Sequence, residues 1–99
     1  MAANEQHASW DVADNSVWFE IIHAGKAVAC RINGETLWDY FGAQSPAQLF
    51  AMPAFVLHRQ KIEALAVEKA ARGEFESHPR RPEGIVWLRS NDVAANGWL

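Results

Sequence analysis

The chain has 99 residues, 49% of them hydrophobic and 21% charged, with a formal net charge of −3 and a pI near 5.7. That length suits one core without staples, the composition excludes wholesale disorder, and the acidic balance argues against a dedicated binder of nucleic acid or of anionic membranes. The single cysteine, Cys30, excludes an internal disulfide and fits a reducing compartment.

Residues 1–15 are polar apart from Trp10 and Val12 and read as a flexible lead-in. No basic stretch followed by an apolar one marks a secretory signal, and no apolar run approaches the roughly 18 residues that span a bilayer. No membrane partner is expected, and a cytoplasmic location is.

Ser16–His23 (SVWFEIIH) and Lys26–Asn33 (KAVACRIN) are β-rich runs separated by Ala24-Gly25, a two-residue loop of hairpin length. Setting His23 opposite Lys26 places Ile21 opposite Val28, Phe19 opposite Cys30 and Val17 opposite Ile32, which makes one face continuously apolar. The other face then pairs Trp18 with Arg31, Glu20 with Ala29 and Ile22 with Ala27.

A short helix is expected over Gly34 to Phe41, with Asn33 as N-cap and Gly42 as stop. Ser45-Pro46-Ala47-Gln48 reads as the capping box of a second helix that Pro53 kinks or breaks. From Ala54 the pattern continues to Arg72, with Phe55, Ile62, Ala66 and Ala70 as its buried stripe. Two prolines and several charges make Glu74–Gly84 (EFESHPRRPEG) a loop, Gly84–Ser90 (GIVWLRS) reads as a third strand, and residues 93–99 form a tail ending in Trp98-Leu99. The expected fold is therefore an α+β domain over residues 16–92. It is two-layered, in the order β-β-α-α-β, with a three-stranded antiparallel sheet and two to three helices on one face.

The ordered set Trp10-Asp11, Val17-x-Phe19, Gly25, Val28-x-Cys30-x-Ile32, Leu37, Phe41-Gly42, Phe55, His58-Arg59, Ile62-Glu63, Ala66 and Val86-x-Leu88 resembles a family of short bacterial proteins. That family is classed as a domain of unknown function, number fourteen-eighty-eight, and the resemblance runs from about residue 10 to residue 92. It implies a compact α+β fold and an intracellular bacterial protein, and it implies no activity. The HPRRP loop and the apolar tail after Asp92 depart from it.

The residues themselves carry no catalytic, cofactor or metal motif. Cys30 falls on the apolar hairpin face, where a thiol packs as a small hydrophobe rather than acting as a nucleophile. His7, His23, His58 and His78 share no metal-ligand spacing, and the six glycines lie at turns and helix stops, not in a phosphate loop. Counting about 100° per residue from Phe55 puts Arg59 between Ala66 and Ala70 on the buried stripe. It can pair there with Glu63 or Asp92, or, beside His58, anchor the carboxylate or phosphate of a small anionic ligand. Arg80 and Arg81 can touch phosphates, flanked though they are by Glu74, Glu76 and Glu83.

The second sheet face is the stronger lead. It carries Trp18, Ile22 and Arg31 in the hairpin and adds Ile85 and Trp87 from the third strand, an apolar area that marks a contact surface unless the Trp10 segment or the Trp98-Leu99 tail covers it. The expected function is a non-catalytic interaction or regulatory module that self-associates as a homodimer, or binds another protein, through this face. The alternatives are a small-ligand or anion-binding protein, conceivably enzymatic, centred on Arg59 and His58, and a weak nucleic-acid accessory protein using Arg80-Arg81.

Overall fold

A computed structural model describes residues 8–95 of the chain. His7 lies outside the described residues, as do Trp98 and Leu99, the tail residues offered above as a cover for the second sheet face. Five strands and four helices follow one another among them: β1 (Ser9–Asp11), β2 (Ser16–His23), β3 (Lys26–Asn33), α1 (Gly34–Tyr40), α2 (Gln48–Leu57), α3 (Arg59–Ala71), β4 (Glu76–His78), β5 (Arg81–Leu88) and α4 (Ser90–Ala95).

Strands β2 and β3 form the expected hairpin in the expected register, with Phe19 opposite Cys30 and Trp18 opposite Arg31. Its turn holds Ala24 at φ 53° and Gly25 at φ 79°, the primed geometry whose twist matches the two strands. Gly25 adopts it freely, whereas the Cβ of Ala24 pays a steric penalty.

The α+β class holds, but the sheet differs from the three antiparallel strands that the spacing predicts. It has five strands in the order β1-β2-β3-β5-β4, and β5 runs parallel to β3, with Cys30 beside Val86, Arg31 beside Trp87 and Ile32 beside Leu88. Three helices lie between these strands, long enough to carry the chain back to the end from which β3 started, so that β5 enters in the same direction. Residues 9–11, within the expected lead-in, pair with β2 as an edge strand. The expected loop at 74–84 is a hairpin instead. Glu76 opposes Ile85 and His78 opposes Arg81, so three residues of β4 face five of β5. Pro82 falls in that bulge, one of the few places where a strand tolerates proline.

The inner sheet face (Val17, Phe19, Ile21, Cys30, Ile32, Val86, Leu88) meets Leu37, Phe41, Phe55, Ile62, Leu65, Ala66 and Ala70 from the helices. Phe19 lies 5.2 Å from Phe55, ring to ring. Val93, where the expected tail begins, is buried in this core from α4. Gly34 opens α1 because nothing larger fits: a Cβ there would stand 2.1 Å from the carbonyl oxygen of Pro46. Ala47, not Ser45, is the N-cap residue of α2, and Ser45 Oγ accepts the Ala47 N–H at 3.0 Å. Pro53 lies inside α2 without ending it. The break falls at His58, where the backbone leaves the helical region (φ −107°, ψ 20°). Pro53 is exposed, as is Leu49 four residues earlier, so the crowded turn faces water. No helix among the described residues is long and apolar enough to cross a membrane.

Candidate functional site

Residues of β2, β3 and β5 that point away from the helices build a stack of rings and cations. Pairing puts Trp18, Arg31 and Trp87 side by side on this face. The Arg31 guanidinium lies 4.9 Å from the Trp18 ring centre and 4.1 Å from that of Trp87, and Arg89 stacks on Trp87 at 4.0 Å. The indoles are held by their N–H groups: Trp18 Nε1 donates to Asp11 Oδ2 at 3.0 Å, and Trp87 Nε1 donates to Asn33 Oδ1 at 2.9 Å. Asn33, at the N-cap position of α1, thus spends its side chain on Trp87 instead of on the helix. Arg31 Nε donates to Ser16 Oγ, and Nη2 meets the Asp14 carboxylate as an ion pair outside hydrogen-bond alignment. Its charge, 2% exposed, is therefore answered by one anion, one hydroxyl and two π faces.

The β4–β5 hairpin brings its tip over this face. The His78 ring meets Trp18 edge-on at 5.1 Å, and Arg80 Nη2 reaches Asp11 Oδ2 at 3.7 Å. At its base Glu76 takes both terminal nitrogens of Arg89. Hydrogen bonding from Arg89 holds the Glu76 carboxyl below its ordinary range, and the Trp18 N–H does the same for Asp11. Between the hairpin and β1 remains an open cleft of about 440 Å³, lined by Asp11, Trp18, His78, Arg80 and Arg81, while Trp10, opposite Val17, packs against the core side.

Of the residues expected to form an exposed contact surface, Arg31 is buried, Ile85 is 1% exposed, Trp18 and Trp87 are half-buried, and Ile22 is open at 69%. Trp18 is covered in part by His78 and Arg31 by Trp87, both from the β4–β5 hairpin, the segment whose first half its prolines and charges disguise as a loop. Around Arg59, Nε donates to Glu63 Oε2 at 2.8 Å and the guanidinium lies 5.3 Å from the Phe55 ring. His58 packs its ring 5.5 Å from Phe41. Asp92, the other acid considered for Arg59, accepts from Lys69 Nζ at 2.8 Å, and the same amine donates to the Trp87 carbonyl at 2.7 Å. Cys30 is buried, and burial pushes its thiol up to about 12. Among the described residues, no group of three or more His, Cys, Asp or Glu is placed to hold a metal ion.

Open apolar surface lies on the opposite layer. Helix α2 (QLFAMPAFVL) carries no charge, buries Ala51, Ala54 and Phe55, packs Met52 against the core edge, and turns its other residues outward. Leu49 is 76% and Leu57 77% exposed, with Phe50, Pro53 and Val56 also open. A shallow groove of about 310 Å³ runs between this helix and the Phe41–Gln44 turn. The signal was present in the sequence as ten residues without a charge, of which the spacing places only Phe55 on the buried stripe.

A family profile described as Protein of unknown function (DUF1488) matches residues 4–88. No curated protein and no solved structure matches the chain significantly.

Proposed function

The chain belongs to the DUF1488 family of proteins of unknown function, and from its exposed helix α2 we propose that it is a non-catalytic interaction module that pairs with a second copy of itself. The observation that carries this reading is a helix apolar around its whole circumference but buried on one side only. Such a helix belongs in an interior, and contiguous apolar area left open to water marks a contact surface. A second copy suits it because α2 has no charge to oppose itself across a two-fold axis, where one patch meets its own image. The groove beside Phe41 and Ala43 receives an aliphatic side chain from the facing α2. On the outer sheet face His78 of the β4–β5 hairpin already packs on Trp18, which leaves less apolar area there than on α2.

Light scattering on the purified protein tests this. The wild type is expected to be dimeric at micromolar concentration. The double substitution Leu49→Lys, Leu57→Lys is expected to give a monomer with an unchanged melting profile, because both side chains are open to solvent. A wild type that stays monomeric at its highest soluble concentration, or a doubly substituted chain that stays dimeric, contradicts the reading.

A further inference from the structure

On the reading that α2 is the contact between two copies, we infer that the two α2 helices cross antiparallel with Pro53 at the two-fold axis, each Leu49 lying beside Leu57 of the second copy. The open apolar residues of α2 are Leu49, Phe50, Pro53, Val56 and Leu57. At about 100° per residue, Leu49 and Leu57 stand about 40° to either side of Pro53, and Phe50 and Val56 about 60° to either side. The patch is therefore centred on Pro53 both around the helix and along it. Reversing α2 about that residue sets Leu49 on the position of Leu57 and Phe50 on that of Val56, apolar on apolar throughout. A patch with this property can meet its own image across a two-fold axis.

Pro53 suits the crossing point. Packed helices bring their axes to about 8–10 Å, which favours a compact side chain where they touch. The pyrrolidine ring has no rotamer freedom to lose on burial. The flanks of α2 choose the direction. Lys61 is exposed just past its C-terminal end, whereas residues 42–50, at its N-terminal end, carry no charge. An antiparallel pair lays each Lys61 end beside an uncharged one and sets the positive end of one helix dipole against the negative end of the other. A parallel pair gathers both ammonium groups and both like dipole ends at one end of the contact.

Cross-linking reads this geometry. The variants Leu49→Cys, Pro53→Cys and Leu57→Cys each place one thiol on the patch, and Cys30 stays out of reach in the core. With a short bifunctional thiol reagent under native conditions, Pro53→Cys is expected to form a covalent dimer by itself. Leu49→Cys and Leu57→Cys are each expected to yield little alone, and severalfold more when the two are refolded together. Self-cross-linking of Leu49→Cys and of Leu57→Cys, with no gain in their mixture, overturns the antiparallel pairing in favour of a parallel one. A wild type that is dimeric by light scattering while Pro53→Cys does not cross-link overturns the placing of the axis. A monomeric wild type with no cross-linking in any variant removes the self-association reading itself, and the pairing with it.

Discussion

Cys30 shows how far one residue's surroundings settle its chemistry. Its Sγ lies 3.5 Å from the Val28 carbonyl on the apolar side of the hairpin, and desolvation raises its pKa from 9.0 to about 12. The folded chain keeps the thiol neutral where the unfolded chain ionises it. The stabilisation is thus complete below about pH 9 and is lost as the pH rises toward 12. Urea melts at pH 8 and pH 10 are expected to show a loss of stability in the wild type that Cys30→Ala reduces, and thiol reagents are expected to label Cys30 only after unfolding. Equal labelling of native and unfolded protein would place the thiol outside the core. Ala24 makes the opposite case, a residue at odds with its backbone. At φ 53° it sits where Asn and Gly are at ease, so Ala24→Asn is expected to stabilise the hairpin by about 0.5–1 kcal/mol, read as a higher melting temperature.

Among the elements, the β2–β3 hairpin was legible because alternation of period two leaves only one register that puts Val17, Phe19, Ile21, Cys30 and Ile32 on one face. β1 and β4, each three residues long, were hidden: Ser9–Asp11 and Glu76–His78 have no room for an alternation to show. Pro53 was misleading for a related reason. Proline signals strain without saying whether the strained turn faces core or water, and here it faces water. The stack on the outer face was invisible for a deeper one. Trp18 opposite Arg31 can be read from the hairpin, but Arg31 against Trp87 depends on a parallel pairing 56 positions away in the chain. That stack is a fastening between strands. Arg31→Ala is expected to cost about 2–4 kcal/mol by emptying the space between two indoles and removing two cation–π contacts. Arg31→Lys should recover only part of it, since an ammonium cannot lie flat between two rings. Chemical denaturation of the three proteins checks the order, and an Arg31→Ala protein as stable as the wild type would mean that the stack contributes nothing.

For the molecule as a whole, the α+β class and the helix-covered inner face followed from composition and periodicity, while the sheet order did not, because strand adjacency across three helices leaves no local trace. The same gap bears on which apolar surface stays open. With β5 beside β3, His78 at the tip of the β4–β5 hairpin packs on Trp18, and α2 leaves Leu49, Phe50, Val56 and Leu57 open to water. One measurement tests the resulting claim at its centre: amide hydrogen exchange of the native protein at low and at high concentration. Residues 48–57 are expected to exchange more slowly at high concentration, while residues 76–88 and the outward residues of β2 and β3 keep their rates. Exchange that is independent of concentration throughout, or protection gained around Ile22 instead of α2, would contradict the account.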